Sequence, residues 1–371
     1  MRRQLFAAMA VGTAGLLALT ACGGSDSATP GADSTSAASK GKVGVILPDS
    51  ASSARWETND RPFLKAAFDA AGLESDIQNA GGDVTKFQSI ADGMISSGVK
   101  VLLIVNLDSD SGAAVVKKAT DAGIPVIDYD RLTLGGGSKY YVSFDNTAVG
   151  TAIGEGLVKC LTDDGKKPSD GGIVELDGSP TDNNATLFKN GYDKVIKAAG
   201  YSVVASQAVP DWDNTKAGTL FEQLSSKYKG KFVGVAAAND GLGGAVIARL
   251  KAEGLDGKIP VTGQDATDEG LQRVLLGTQC VTIYKAVKQE AKAASDLAIA
   301  LASGDTAAAD ALATGKTMDS KTNKEVPSVL LTPVAIFPEN VKDVIADQFT
   351  TAEKICTTAE LKKACTKNGV S

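Results

Sequence analysis

The order of apolar and polar positions along the chain predicts short strands that alternate with amphipathic helices. A strand is indicated where an apolar run lies between polar residues, as at 42–47 (KVGVIL) and 99–105 (VKVLLIV). A helix is indicated where apolar residues recur every three or four positions, as Phe87, Ile90 and Met94 do. The predicted strands are 42–47, 75–79, 99–105, 125–129, 140–144, 172–176, 202–205, 231–236, 259–262 and 281–284. The predicted helices are 57–71, 84–97, 111–122, 147–161, 184–199, 215–228, 242–253, 268–276 and 286–303.

This alternation predicts the fold class. Strands separated by helices of this length form βαβ units, so we expect an α/β fold with doubly wound parallel sheets and helices on both faces. The pattern starts again at residue 147, and each half is long enough to form its own hydrophobic core. The sequence therefore predicts two Rossmann-like lobes. A late apolar run, 329–336, is interrupted by Pro333 and suits a segment that crosses between lobes.

The first residues have the pattern of an export signal. Two arginines precede an apolar stretch, 5–19, that is too short for a stable membrane span. The tetrad Leu-Thr-Ala-Cys that ends at Cys22 resembles the lipobox of bacterial lipoproteins, which implies cleavage before Cys22 and a lipid on its thiol. The alternative is an ordinary secretory signal in which Cys22 is incidental.

Residues 1–21 are therefore predicted to be a signal peptide and 22–40 a lipidated flexible tether. The segment 23–40 holds small and polar residues but no large apolar one, so it cannot bury enough surface to fold. The folded part is expected to start near Gly41. We expect an extracytoplasmic protein that is lipid-anchored to the outer face of the cytoplasmic membrane.

Composition and charge exclude several functions. The 371 residues carry 38 Lys and Arg against 44 Asp and Glu, a net charge of −6, which argues against a nucleic-acid partner. With 43% hydrophobic and 22% charged residues, the chain is typical of a soluble globular protein. The absence of histidine excludes Ser-His-Asp and Cys-His catalysis and every histidine-ligated metal site. Neither a metal nor a cofactor is expected.

Four cysteines follow Cys22, and an even number favours disulfides in an oxidising compartment. Cys356 and Cys365 are close in sequence and are the favoured pair, which leaves Cys160 with Cys280 by elimination. No Cys-x-x-Cys spacing occurs, so a redox or zinc site is disfavoured.

Polar residues follow most of the predicted strands, where open α/β sheets bind their ligands. Carboxylates, amides and cations at such a sheet edge can share the hydroxyl groups of a sugar. Trp56 and Trp212 are notable in a chain with 5% aromatic residues, because both fall in loops at strand ends and can cover the C–H face of a pyranose ring. The strand-end groups are Asp130 and Arg131, 177–179, Asn239 and Asp240, Gln264 and Asp265, and Lys285, with Arg55 and Trp56 after the first strand.

Each of these residues also has a structural explanation. Asp and Asn at strand ends are common N-caps, and we expect Asp240, Thr267 and Asp213 to be caps rather than ligands. Asp130 and Arg131 could form a local ion pair at the surface. The convergence of such groups from both halves nevertheless favours a cleft.

A series of short motifs runs in order from the first strand to the last crossing segment. The most specific is Gly-Ser-Pro-Thr-Asp-Asn-Asn-Ala at 178–185. The others are Arg-Trp at 55–56, Tyr-Asp-Arg at 129–131, Ser-Phe-Asp-Asn at 143–146, Asn-Asp at 239–240, Gly-Gln-Asp-Ala at 263–266, Tyr-Lys at 284–285 and Pro-Ser-Val-Leu-Leu-Thr-Pro at 327–333. With these motifs the chain resembles the type I periplasmic sugar-binding proteins of ABC importers, most closely their D-xylose-binding branch. The four cysteines after Cys22 lie outside that pattern.

The resemblance implies two lobes joined by a three-segment hinge, with crossings near 144–147, at Lys285 and near 328–332. The first lobe would comprise 41–146 plus 286–328, and the second 147–285 plus 329–371.

The resemblance also implies a sugar site between the lobes. Trp56 and Trp212 would stack on the sugar ring, while Asp130 would accept from a hydroxyl or only orient Arg131. The expected ligand-binding residues are Arg55, Trp56, Asp130, Arg131, Asp182, Asn184, Trp212, Asn239, Asp265 and Lys285. The implied function is capture of a monosaccharide, D-xylose first, by hinge closure. A monomeric binding protein without catalysis would then deliver it to the membrane subunits of an importer.

Other functions are compatible with some of the same residues. Glucose, galactose, ribose or a signalling furanose would fit the same fold, and the protein could then serve a membrane sensor. A sugar-modifying enzyme would use Asp130, Asp182 and Asp265 as paired carboxylates. A dinucleotide enzyme would need Gly-x-Gly-x-x-Gly after the first strand, where Leu47 is followed by Pro-Asp-Ser. A sugar-responsive repressor would need a basic helix-turn-helix where this chain has an export signal.

Overall fold

The computed structural model describes residues 41–370, in which strands and helices alternate as predicted. The predicted leader, Cys22 and the tether lie outside the described residues. The strands are β1 (Lys42–Leu47), β2 (Glu74–Asn79), β3 (Val101–Ile104), β4 (Val126–Tyr129), β5 (Tyr140–Phe144), β6 (Gly172–Asp177), β7 (Val203–Ala208), β8 (Phe232–Ala237), β9 (Thr262–Gln264), β10 (Val281–Tyr284), β11 (Gly315–Asp319), β12 (Lys324–Leu331) and β13 (Val334–Ile336). The helices are α1 (Arg61–Ala70), α2 (Val84–Ser96), α3 (Ser109–Asp121), α4 (Asn146–Asp163), α5 (Asn183–Ala198), α6 (Asn214–Lys227), α7 (Asp240–Ala252), α8 (Asp268–Leu275), α9 (Val287–Ala302), α10 (Thr306–Leu312), α11 (Val341–Ala346), α12 (Ala352–Ile355) and α13 (Ala359–Lys367).

The first lobe is built on a seven-stranded sheet in the order β11-β12-β5-β4-β3-β1-β2. Its strands run parallel except for the edge strand β11, which pairs antiparallel with β12. One face packs against α1 and α9, and the other against α2 and α3. β3 is therefore buried along its whole length, which explains its continuous apolar run.

The second lobe contains two three-stranded sheets, β7-β6-β8 and β13-β10-β9, linked by a bridge between Val235 and Val261. β9 begins later than the predicted 259–262, because the backbone of this segment is paired with β8 at a single bridge only. Helices α4 and α5 pack closely on each other. Gly150 permits this approach, since a Cβ atom there would lie 2.0 Å from the carbonyl oxygen of Phe188.

The chain passes between the two lobes three times. The crossings follow β5 at Asp145, β10 at Lys285, and β12 at Thr332 and Pro333. The last crossing lies beyond the expected boundary at 328, because β12 stays paired with β5 as far as Leu331. The predicted fold class, two α/β lobes joined by a three-segment hinge, is confirmed.

After β13 the chain forms a further unit that the strand and helix pattern does not predict. We name residues 341–370 the C-terminal cap; it contains α11, α12 and α13. Ile355 and Leu361 of the cap share an apolar cluster with Leu271 of α8 and Tyr284 of β10. The cap therefore belongs to the second lobe by its packing.

Two disulfides are present in the described part of the chain. Cys160 of α4 is bonded to Cys280 at the start of β10, within the second lobe. Cys356 is bonded to Cys365 within the C-terminal cap. Neither disulfide joins the two lobes, so the hinge is free of a covalent restraint from these bonds.

Candidate functional site

The carboxyl ends of strands from both lobes border one cleft. The cleft brings together all ten candidate residues: Arg55, Trp56, Asp130, Arg131, Asp182, Asn184, Trp212, Asn239, Asp265 and Lys285. Groups that are far apart in sequence thus form one polar site, which Trp56 and Trp212 also line.

A π-helical turn, Trp56–Asp60, brings the first two candidates into the cleft. Such turns are rare in proteins as a whole, but those that occur are often found at functional sites. Arg55 immediately precedes the turn, and its Nε atom lies 3.3 Å from Oδ2 of Asp60. The Arg55 guanidinium also lies 4.1 Å from the centre of the Trp56 ring, a cation–π contact. Trp56 therefore holds the arginine in place as well as lining the cleft.

Asp130 follows β4 with a φ of 63°, a left-handed conformation that is uncommon outside glycine. Its carbonyl oxygen accepts hydrogen bonds from Tyr141 Oη at 3.1 Å, Ser143 Oγ at 2.8 Å and Asn184 Nδ2 at 3.0 Å. These bonds hold a backbone conformation that costs about 1–3 kcal/mol. The carboxylate is thereby placed 2.8 Å from Arg55 Nη2 and 3.1 Å from Asn184 Nδ2.

Three buried carboxylates surround Arg55, and their pKa values differ. Burial raises the pKa of Asp60 to about 6 and the pKa of Glu290 well above its usual range, although Arg55 lies near both. Burial acts in the same direction on Asp130, but the charges of Lys285 and Arg55 outweigh it and bring its pKa to about 2. Asp130 is therefore the member of this group that stays charged to the lowest pH.

Lys285 lies between a carboxylate of each lobe. Its Nζ atom is 3.6 Å from Asp130 Oδ2 and 3.3 Å from Asp265 Oδ1, and the residue is only 5% exposed. Asp265 follows β9 and, like Asp130, has a positive φ, here 97°. Because Lys285 is also a crossing residue, its ammonium group connects the hinge to acceptors in both lobes.

Asp182 combines a structural role with a place in the cleft. It caps α5 by accepting from the Asn184 backbone nitrogen at 2.9 Å. Its Oδ2 atom accepts from Trp212 Nε1 at 3.2 Å and lies 3.0 Å from Arg131 Nε of the first lobe. The Asp182 carboxylate therefore contacts the start of α5, the indole of Trp212 and the guanidinium of Arg131 in the first lobe.

Trp212 is held in place by close packing. A Cβ atom at Gly178 would lie 2.0 Å from Cη2 of the indole, so only glycine permits this approach. The Phe188 ring meets Trp212 edge-on, with 6.4 Å between ring centroids and 62° between the planes. The orientation of the indole is therefore set by the protein itself.

The expected helix caps are only partly found. Asp213 and Thr267 cap α6 and α8, as expected. The cap of α7 is Asn239 rather than Asp240, because the Asn239 side chain accepts from the backbone nitrogen of Leu242 in the first turn of that helix. Asp240 instead accepts from the Thr267 backbone nitrogen at 2.8 Å and from Gln279 Nε2 at 2.7 Å. Asn239 therefore caps a helix and lines the cleft.

Four cleft residues are absent from the predicted set: Ser52, Ser53, Phe188 and Gln264. Gln264 had a signal in the sequence, since it directly precedes Asp265 at a strand end. Its Oε1 atom is buried without a hydrogen-bond partner, as is Nη1 of Arg55. Buried polar atoms usually have a hydrogen-bond partner, so these two atoms are exceptions among the residues that line the cleft.

Within residues 41–370, no group of three or more cysteine, aspartate or glutamate side chains is arranged to hold a metal ion. In the same part of the chain, no helix has the length and apolar character needed to cross a bilayer.

The two lobes, with a polar cleft between them, define a binding protein for a small ligand. Residues 43–306 match the family model of the periplasmic binding protein domain. The chain is 34% identical over 313 residues to the D-xylose-binding periplasmic protein of Escherichia coli (strain K12), covering 83% of this chain and 90% of that protein. It is 36% identical over 329 residues to the multiple sugar-binding periplasmic receptor ChvE of Rhizobium radiobacter, covering 84% and 91%.

Among solved structures, the chain is similar to an ABC transporter solute-binding protein from Clostridium phytofermentans with bound β-D-glucose. The identity is 28% and the TM-score 0.74, over 85% of this chain and 99% of that chain. The chain therefore belongs to the type I periplasmic sugar-binding proteins of ABC transporters. This is an extracytoplasmic family of binding proteins rather than enzymes.

Proposed function

We propose that this protein captures a monosaccharide, with D-xylose as the first candidate, and delivers it to the membrane subunits of an ABC importer. The observation that carries the proposal is the meeting of charged donors and acceptors from both lobes in one cleft that Trp56 and Trp212 also line. The similarity to D-xylose-binding proteins supports the choice of sugar.

The chemistry of the cleft suits a pyranose. A sugar hydroxyl donates one hydrogen bond and accepts others, so it can lie between a carboxylate such as Asp265 and a cation such as Lys285. Arg55 and Gln264 each offer a buried atom that has no partner in the protein. The indoles of Trp56 and Trp212 would cover the C–H faces of the ring.

Hinge closure is the proposed mechanism. A sugar bound to one lobe presents hydroxyls that the other lobe can satisfy only when the cleft is closed. Its higher affinity for the closed form shifts the population toward that form. Closure also excludes water, which strengthens the hydrogen bonds to charged groups. The membrane subunits of the importer would then recognise the closed protein.

The location and assembly state are part of the same proposal. A lipid on Cys22 would hold a monomer at the outer face of the cytoplasmic membrane, and the tether 22–40 would let it reach the importer. The motif that ends at Cys22 supports this anchoring. Mass spectrometry of the mature N-terminus, with the unmodified Cys22→Ala protein as control, tests it.

A thermal-shift and calorimetry screen of the purified protein against D-xylose, D-glucose, D-galactose and D-ribose tests the function. A ligand that binds only the folded state stabilises it by about 2.7 kcal/mol at one hundred times its dissociation constant. We expect D-xylose to give the largest shift and to be recovered unchanged. If none of the sugars shifts the melting temperature, the proposed function is wrong.

D-glucose is the second candidate. The Clostridium phytofermentans protein of known structure carries bound β-D-glucose. In addition, Ser52, Asn239 and Asp265 of the cleft also border a neighbouring, wider space of about 520 Å³, which offers room for a hydroxymethyl group. A stronger response to D-glucose than to D-xylose in the same screen would favour this alternative.

A further inference from the structure

The C-terminal cap contacts the turn that follows Arg55. Asn59, within the π-helical turn of the first lobe, donates from Nδ2 to the carbonyl oxygen of Phe349 in the cap at 3.2 Å. The cap itself packs on α8 of the second lobe. This hydrogen bond therefore joins the two lobes at a point outside the sugar cleft.

Phe349 is held from the second lobe. Its ring meets Tyr284 edge-on, with 5.2 Å between centroids and 69° between planes. The Tyr284 hydroxyl donates to the Asp347 carboxylate, and Thr350 Oγ1 donates to the Asp268 carboxylate at the start of α8. Tyr284 directly precedes Lys285 at the second crossing, so the cap is fastened next to the hinge and the cleft.

The backbone of this part of the cap adopts an uncommon conformation. Gln348 has a φ of 61°, and its backbone nitrogen donates to the Ile345 carbonyl oxygen at 2.9 Å. Such a conformation persists only where neighbouring contacts fix it. Gln348 itself is exposed, so the contacts of Asp347 and Phe349 on either side fix the turn.

The remainder of the cap is closed by the Cys356–Cys365 disulfide and bound to α8. Gln272 of α8 donates from Nε2 to the carbonyl oxygens of Lys354 at 3.0 Å and Ile355 at 3.2 Å. The disulfide thus holds a short helical unit against the second lobe, and the segment 347–350 extends from that unit to Asn59.

We infer that Asn59 and Phe349 are positioning residues for ligand binding: they tie the turn that follows Arg55 to the second lobe when the cleft is closed. Opening the hinge separates the lobes and breaks this bond, so the bond adds to the stability of the closed form alone and thereby to ligand affinity. Neither residue lines the sugar cleft. The inference rests on the proposed function, because sugar affinity is its main readout.

Calorimetry with the sugar that the wild-type protein binds best tests the inference on two variants. We expect Asn59→Ala to bind that sugar roughly 3- to 10-fold more weakly, the effect of losing one hydrogen bond. Cys356→Ser/Cys365→Ser should lose affinity by up to a similar factor, since it loosens the cap that presents Phe349. Cys160→Ser/Cys280→Ser is the matched control: it also lacks one disulfide, but it leaves the cap intact and should bind within a factor of two of wild type. Wild-type affinity in both test variants would overturn the inference.

A double-mutant cycle separates this role from general destabilisation. If both changes act through the same contact, the protein with Asn59→Ala, Cys356→Ser and Cys365→Ser should bind no more weakly than the weaker of the two parents. Losses that multiply independently would contradict a shared contact.

Hydrogen exchange of the sugar-bound proteins provides a second readout, because the bond is made only in the closed form. Backbone amides of Trp56–Asp60 should exchange faster in the Cys356→Ser/Cys365→Ser protein than in wild type, and at the wild-type rate in Cys160→Ser/Cys280→Ser. Unchanged exchange in the first variant would overturn the inference even if sugar binding is found. If the wild-type protein binds no sugar, the proposed function fails, whereas unchanged exchange in proteins that do bind sugar overturns this inference alone.

Discussion

The Nε atom of Arg131 in the first lobe lies 3.0 Å from the Oδ2 atom of Asp182 in the second lobe. Both side chains are buried at the edge of the cleft. Burying a charge is costly unless an opposite charge accompanies it, and here each charge is balanced by a residue of the other lobe. In this arrangement the two lobes are joined across the cleft by a buried ion pair.

Asp182→Asn tests the contribution of this ion pair. Asparagine still caps a helix well and still offers an oxygen to Trp212, so the main loss is the charge opposite Arg131. We expect sugar affinity to fall about 10- to 100-fold by calorimetry. Asp163→Asn, which removes one partner of the exposed pair with Lys159, is the control and should bind as wild type does. Unchanged affinity in Asp182→Asn would remove this residue from the site.

Trp212→Ala should weaken sugar binding by about 1–3 kcal/mol through loss of buried aromatic contact. Trp212→Phe should lose less affinity than Trp212→Ala, because phenylalanine keeps an aromatic ring. It should still bind more weakly than wild type, because phenylalanine cannot donate a hydrogen bond to Asp182. Calorimetric titration of both variants measures the difference. Wild-type affinity in Trp212→Ala would mean that the indole only packs against Phe188 and Gly178.

Gly178→Ala tests whether the position of the indole matters. The added Cβ atom would overlap Cη2 of Trp212, so the indole must move. We expect both a lower melting temperature and weaker sugar binding. Gly93→Ala in α2 is the matched control, because nothing lies within 4 Å of its added Cβ atom. That change should be neutral or stabilise the protein by up to about 1 kcal/mol.

The buried carboxyl group of Asp128 predicts a pH dependence of stability. Burial raises its pKa to about 6, although it accepts hydrogen bonds from Thr133 and Ser138. Between about pH 4 and 6 the folded protein holds a proton that the unfolded chain has released, so the free energy of unfolding falls as the pH rises through this range. The full effect is on the order of 3 kcal/mol.

Asp128→Asn should therefore flatten the dependence of the free energy of unfolding on pH between about 4 and 6. Urea unfolding of wild type and variant at several pH values in that range measures it. Curves of the same slope for the two proteins would show that Asp128 titrates in the folded state as it does in the unfolded chain.

The alternation of elements and most of the candidate site could be predicted from the sequence. A parallel strand covered on both faces is a continuous apolar run, as in β3, and the carboxyl ends of such strands share one edge of the sheet. That rule was sufficient to single out Asp130, Asp265 and Lys285, which come from separate strands and meet in the cleft.

Other features depend on contacts that no local pattern records. The positive φ of Asp130 is held by Tyr141, Ser143 and Asn184, which only the folded chain brings together. Strand β11 was not predicted, because it lies at the edge of the sheet and has no apolar run. Its residues alternate between exposed and partly buried positions, and even Met318 is 54% exposed. The bond from Asn59 to Phe349 joins residues 290 positions apart, beyond the reach of any motif.

A crystal structure of the protein with D-xylose, or with the sugar that binds best in the screen, tests the central claim most directly. We expect the sugar ring between Trp56 and Trp212, with hydrogen bonds to Asp130 or Arg131 of the first lobe and to Asp182 or Asp265 of the second. A sugar bound outside the cleft, or one that contacts residues of a single lobe, would contradict the account.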